Sequence, residues 1–106
     1  MGKVKVAAKS ELGTNKMMGL DLQGRYILLT NMNGEYHAID GLCSHLEGRL
    51  WEGSLMGNIV KCPRHGSEFD ILTGKVVKKP RIPFAKAMDL KKYEVTVEGD
   101  DIFLDL

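Results

Sequence analysis

Short runs of apolar and β-branched residues, interrupted by Gly and Asn, dominate the hydrophobic pattern of the chain. Residues 25–30 and 35–39 are rich in strand-forming side chains and flank the dipeptide Asn33-Gly34. This dipeptide favours a two-residue hairpin turn because both residues tolerate a positive φ. The pattern therefore predicts an antiparallel hairpin over residues 25–39.

Further strand-like segments are equally short and end at Gly-containing turns. We expect them at residues 4–8, 17–22, 55–56, 59–61, 68–71, 93–98 and 102–106. Pro80 and Pro83 predict an extended covering loop over residues 78–84, and residues 85–92 have room for one helical turn. The sequence thus predicts an all-β fold, a small antiparallel β sandwich or barrel. Residues 40–51 and 62–67 show neither the alternation of polar and apolar residues typical of a strand nor the repeat of a helix, and we expect two successive loops there.

Composition narrows the class of protein further. The 106 residues include 12 Gly, 43% hydrophobic and 27% charged residues, which fits one globular domain. A net charge of +1 gives no reason to expect nucleic acid or an anionic membrane as a partner. Lys residues interrupt the N-terminal apolar run, so we expect no signal peptide and a cytoplasmic location. Two Cys cannot build a disulfide scaffold.

The two loops contain both Cys and two of the three His. The first loop contains Cys43-Ser44-His45, and the second contains Cys62-Pro63-Arg64-His65-Gly66-Ser67, after sixteen intervening residues. Two thiolates and two imidazoles suit either of two metal groups. One is a tetrahedral structural zinc site, and the other is a [2Fe–2S] cluster with two Cys on one iron and two His on the other. Zinc sites commonly pair Cys with Cys and His with His, whereas each loop here mixes the two types.

The two motifs C-x-H and C-x-x-H resemble those of the Rieske iron–sulfur family, as does the order of hairpins around them over most of the chain. This resemblance implies one [2Fe–2S] cluster per chain. It implies Cys43 and Cys62 on the buried iron, and His45 and His65 on the exposed iron. It also implies a single Rieske domain over residues 1–106. A cluster-binding subdomain of about residues 40–70 would be inserted in a β base of residues 1–39 and 71–106.

Neighbouring residues are expected to tune the cluster or to support it. Ser67 would donate a hydrogen bond to sulfur, while Phe69 stands where high-potential relatives have a Tyr, which implies a low to intermediate potential. Trp51 is expected to be a core anchor and His37 a solvent-facing strand residue. The remaining residues that we expect around the cluster are Leu46, Gly48, Pro63, Arg64 and Gly66.

The resemblance also indicates which kind of Rieske protein this is. Respiratory members have an additional Cys in each loop, joined in a disulfide, at positions where this chain has Gly48 and Arg64. The sequence therefore resembles the soluble ferredoxins of oxygenase systems, which are electron carriers and not catalysts. This implies a flavin reductase as donor, a terminal oxygenase as acceptor and a monomeric carrier. The alternatives are a small redox subunit of a larger oxidoreductase and a structural zinc-binding module.

Overall fold

The computed structural model describes residues 2–43, 48–64, 66–80 and 87–106. Within these ranges the chain forms eleven short strands and two single-turn 3-10 helices, at Lys9–Glu11 and Leu50–Glu52. The strands are β1 (Lys3–Ala8), β2 (Lys16–Leu22), β3 (Arg25–Met32), β4 (Glu35–Asp40), β5 (Ser54–Met56), β6 (Ile59–Lys61), β7 (Glu68–Asp70), β8 (Val76–Lys78), β9 (Lys92–Tyr93), β10 (Val95–Glu98) and β11 (Asp101–Asp105).

All the strand pairs in this part of the chain are antiparallel, and they form three sheets. The first sheet has the order β1-β11-β10, the second β2-β3-β4-β9 and the third β5-β6-β7-β8. The first two sheets bring together strands from both ends of the chain, whereas the third is built from one continuous segment. The predicted all-β antiparallel fold is confirmed.

The β3–β4 hairpin is the central element of the second sheet. Asn33 and Gly34 have φ values of 56° and 91°, as its two-residue turn requires. The side-chain oxygen of Asn31 accepts a hydrogen bond of 2.9 Å from the Gly34 amide and so ties the turn to β3. This turn fixes the register that pairs Leu28 with Ile39.

Both faces of the β3–β4 hairpin are buried, and each face supports a different hydrophobic cluster. Ile27, Leu29 and Ala38 point into a cluster shared with the first sheet. Leu28 and Ile39, which alternate with them, point into a second cluster beneath the third sheet. Because side chains alternate along a strand, one continuous apolar run can fill two cores.

Several details differ from the sequence-based expectations. The expected helical turn is absent from residues 87–92, where β9 instead pairs with β4. The short β8 pairs with β7, whereas the sequence pattern predicts no strand here and places Lys78 in the covering loop. The covering loop falls partly on residues 81–86, which lie outside the described residues. None of the helices in the described ranges combines the length and apolar character needed to cross a membrane.

His37 also differs from its prediction as a solvent-facing strand residue. Its side chain is only 19% exposed, and its Nε2 is buried without a hydrogen-bond partner among the described residues. The nearest acid, Glu35, lies 3.6 Å from this nitrogen. The prediction was wrong because the His37 side chain lines a cleft beside residues 92–95 and is largely covered there.

Asp40, the last residue of β4, joins the strand to the segment that follows β8. Its Oδ1 accepts a 2.7 Å hydrogen bond from the Tyr93 hydroxyl, and its Oδ2 accepts one of 2.9 Å from the Lys91 amide. Burial, followed by the hydrogen bond to Asp40 and the negative charge of this carboxylate, raises the pKa of Tyr93 to about 12. The phenol is therefore held in its neutral, donating form.

We expect this pair to make the protein sensitive to alkaline pH. Since the pKa of Tyr93 is raised above its usual value, the stability it contributes is complete below about pH 10 and is lost as the pH rises towards 12. Tyr93→Phe should lower the free energy of unfolding by about 1.5–3 kcal/mol near neutral pH, the range for a hydrogen bond to a charged group.

Urea unfolding at several pH values measures this effect. In the Tyr93→Phe variant, the free energy of unfolding should fall much less between pH 10 and 12 than it does in the unmodified protein. As a control, Tyr26→Phe removes a phenol that is 36% exposed and should retain that decline. An equally steep decline in Tyr93→Phe and in the unmodified chain would contradict this account.

Candidate metal centre

One loop follows β4 and another follows β6. Each begins at a cysteine, and both are closed by a backbone hydrogen bond over the same number of residues. The Cys43 amide donates a 2.7 Å hydrogen bond to the Gly48 carbonyl, and the Cys62 amide donates one of 2.8 Å to the Ser67 carbonyl. In both loops the bond joins a residue to the fifth residue after it. The two cysteines therefore occupy equivalent places in two similarly closed loops.

Regular backbone pairing supports both loops from below. Leu42 forms an isolated antiparallel bridge with Arg49, and the Leu50 amide donates a 3.0 Å hydrogen bond to the Gly41 carbonyl. The second loop connects β6 to β7, which are neighbours in the third sheet. Each loop is thus anchored at both of its ends, and this limits how far its cysteine can move.

Both cysteines are thiols buried at the top of the second hydrophobic cluster. Cys43 is 2% exposed and Cys62 is 3% exposed. Leu50, Val60 and Phe69, each fully buried, belong to the same cluster. The apolar surroundings exclude water from the two sulfur atoms, which favours binding of a group that is itself poorly hydrated.

Gly48 brings the two loops into direct contact. A Cβ atom at this position would lie only 2.7 Å from Sγ of Cys62 and 3.1 Å from Cγ of Arg64. Because real Cβ atoms do not approach other heavy atoms so closely, any larger residue would push the loops apart. The absence of a side chain at residue 48 lets the first loop pack against the sulfur of the second.

Ser67 provides a buried hydroxyl beside the second cysteine. The residue is 1% exposed, and its Oγ has no hydrogen-bond partner among the residues that the structure describes. A buried hydroxyl without a partner is costly, by about 1–3 kcal/mol. Such a donor fits a site in which a bound group supplies the acceptor.

The other residues predicted around the centre are distributed as follows. Phe69 is fully buried, and Gly66 is buried with a φ of 78°. Pro63 and Arg64 are exposed at the rim of the second loop. The predicted imidazole ligands and one predicted packing residue lie outside the described residues: His45, His65 and Leu46.

The donors that are described fit a sulfur-containing metal group. Two buried thiols, an apolar base and an unsatisfied hydroxyl are suited to an iron–sulfur cluster, whose sulfide ions accept hydrogen bonds. Within residues 2–43, 48–64, 66–80 and 87–106, no set of three or more His, Cys, Asp or Glu side chains forms a competing metal site.

Sequence reasoning missed the support beneath the first loop. Asp40 and Tyr93 hold the end of β4 in place three residues before Cys43, yet they are 53 residues apart in sequence. An open cleft of about 400 Å³ is lined by Asp40 together with Cys43, Tyr26 and Met88. No local motif links these positions, so only the fold reveals their proximity.

Comparison with known proteins identifies the family to which the chain belongs. The Rieske [2Fe-2S] domain matches residues 2–102. The chain is 30% identical over 103 residues to the ferredoxin component of the naphthalene 1,2-dioxygenase system of Pseudomonas aeruginosa, covering 97% of this chain and 94% of the relative. It is 43% identical over 82 residues to the 3-phenylpropionate/cinnamic acid dioxygenase ferredoxin subunit of Shigella flexneri serotype 5b, covering 76% and 72%.

Solved structures agree with the sequence relatives. The ferredoxin of carbazole 1,9a-dioxygenase from Nocardioides aromaticivorans IC177 superposes with a TM-score of 0.86 at 26% identity, covering 98% of this chain and 97% of that one. Matches of this extent include both β base and loops. The chain belongs to the Rieske [2Fe–2S] domain family, and it is an electron carrier whose cofactor is a Rieske cluster.

Proposed function

We propose that Cys43 and Cys62 bind the buried iron of the cluster and that His45 and His65 bind the exposed iron. The assignment is supported above all by the burial of both thiols in two equally closed loops that meet at Gly48. When bound, the cluster takes up and releases one electron. Residues about 40–70 would form its subdomain, inserted in a β base of residues 1–39 and 71–106 within a single Rieske domain.

The roles of the chain's own residues follow from their burial. The apolar side chains beneath Cys43 and Cys62 exclude water and hold the thiolates in fixed positions, so little rearrangement accompanies a change of charge. Ser67 would donate its hydroxyl hydrogen to sulfur, which stabilises the more negative, reduced form. Phe69 fills the base of the site without offering a second hydroxyl, which agrees with a low to intermediate potential.

We further propose that the protein is a cytoplasmic, monomeric carrier between a flavin reductase and a terminal oxygenase. Its relatives are ferredoxin components of dioxygenase systems. Large apolar side chains that are exposed in the described residues are spread over all three sheets, for example Val4, Tyr26 and Val77. That distribution favours small transient contacts, which are typical of electron transfer, over a permanent subunit interface.

The ligand assignment predicts the outcome of four single substitutions. The unmodified protein should be red-brown and contain two iron atoms and two acid-labile sulfides per chain, the content of one such cluster. Cys43→Ser, Cys62→Ser, His45→Ala and His65→Ala should each abolish or strongly reduce this content. His37→Ala, the matched control on β4, should retain it.

Metal and sulfide analysis together with EPR of the reduced protein measures the outcome. One zinc per chain without labile sulfide would overturn the cluster and support the structural zinc module. Retention of a normal Rieske signal in any of the four ligand variants would remove that residue from the ligand set.

The Ser67 hydroxyl predicts a shift of the reduction potential. Ser67→Ala should lower the potential by about 20–60 mV, which corresponds to the loss of one hydrogen bond of about 0.5–1.5 kcal/mol in a one-electron couple. Voltammetry of the loaded protein measures the shift. Thr30→Val removes another fully buried hydroxyl, outside the two loops, and should leave the potential unchanged. An unchanged potential in Ser67→Ala would refute the hydrogen bond to sulfur.

The carrier role predicts transient association and repeated turnover. The protein should elute as a single chain in gel filtration. In small amounts it should support many cycles of electron flow from a flavin reductase to an aromatic-ring dioxygenase. High salt should slow this transfer if complementary charges orient the partners. Isolation of the chain only in a stable stoichiometric complex with a larger oxidoreductase would favour the subunit alternative.

A further inference from the structure

We infer that Arg64 is a positioning residue, whose aliphatic stem packs on Gly48, at the end of the first loop, and holds it beside Cys62 of the second loop. The inference rests on the proposed function, since these are the loops assigned to the cluster. A Cβ atom built on Gly48 would lie 3.1 Å from Cγ and 3.2 Å from Cδ of Arg64. The stem of Arg64 therefore lies directly over the residue where the two loops touch.

The position of this stem explains how an exposed residue can contribute to a buried site. Gly48 is buried although it has no side chain of its own, and the nearest atoms on that side belong to Cys62 and Arg64. Long cationic side chains commonly bury their methylene groups on an apolar surface and leave the charged end in water. Arg64 covers Gly48 in this manner.

The aliphatic stem of Arg64 shields two interactions at Gly48 from solvent. The Gly48 carbonyl accepts the 2.7 Å hydrogen bond from the Cys43 amide that closes the first loop. The Cys62 sulfur lies beside the same residue, 2.7 Å from the point that a residue-48 Cβ would occupy. Without the Arg64 stem, water and small chelating molecules would have a direct approach to both. The Arg64 stem thus holds the two loops together by non-covalent packing.

The charge of Arg64 adds an effect that the stem alone would not produce. Reduction of the cluster adds one negative charge, and a positive charge on the exposed rim of the second loop favours the reduced form. Arg49 is the appropriate comparison because it is a second exposed arginine at the edge of the first loop. Its Nη1 lies 3.6 Å from a Glu52 carboxylate oxygen.

Three variants of the loaded protein separate the stem from the charge. Arg64→Ala removes both, Arg64→Met keeps an unbranched stem without charge, and Arg49→Met removes the charge of the second exposed arginine. The cluster's visible absorbance is followed in the presence of an iron chelator, and the reduction potential is measured at low and high salt. The unmodified protein is treated in parallel.

Arg64→Ala should lose its cluster about fourfold to fifteenfold faster, the factor that corresponds to burial of one or two methylene groups in the closed state. Arg64→Met should retain its cluster almost as well as the unmodified protein. Its reduction potential should still be lower than that of the unmodified protein, by an amount that diminishes at high salt. Arg49→Met should match the unmodified protein in retention of the cluster.

The inference is overturned if Arg64→Ala loses its cluster as slowly as the unmodified protein. It is also overturned if Arg64→Met loses the cluster as fast as Arg64→Ala, since the stem would then have no role. Failure of the proposed function looks different, because the unmodified protein would itself contain no iron–sulfur cluster.

Discussion

Burial of the β3–β4 hairpin on both faces is the constraint from which the rest of the structure follows. Ile27 and Leu29 must find partners on one side of the sheet, and Leu28 and Ile39 must find partners on the other. The first sheet satisfies one face and the third sheet, together with the two loops, satisfies the other. A change of one residue in the register would exchange these faces, so the turn at Asn33-Gly34 controls both cores.

The same constraint positions the two cysteines that we propose as cluster ligands. The second core needs a cover, and the two cysteine loops are part of it: Cys43 and Cys62 pack in the cluster that contains Leu28 and Ile39. Stability of the hairpin and rigidity of the metal site are thus two aspects of one packing arrangement. A site held from below by a fully buried sheet changes its shape little when its charge changes, which suits a protein that carries single electrons.

The sequence was most informative where chemistry is local. Asn33-Gly34 predicts its turn because φ is a property of the residue itself, and the spacing of Cys43 and Cys62 relative to their His neighbours predicts a two-loop metal centre. It was least informative where distant segments meet. The contact of Asp40 with Tyr93, the pairing of β9 with β4 and the burial of His37 all depend on how residues 87–93 return to the sheet, and no periodic pattern encodes that return.

Gly48 and Arg64 show how a weak local signal acquires meaning from the fold. In the sequence they attract attention only as the positions where respiratory relatives have cysteines. In the structure they are neighbours across the two loops, one without a side chain and the other with a long one. A disulfide would fix the distance between the loops by a covalent bond. Close packing of an arginine stem on glycine is a non-covalent contact at the same two positions. In the role proposed for Arg64, this contact would help to retain the cluster without a bond that the redox state of the surroundings can break.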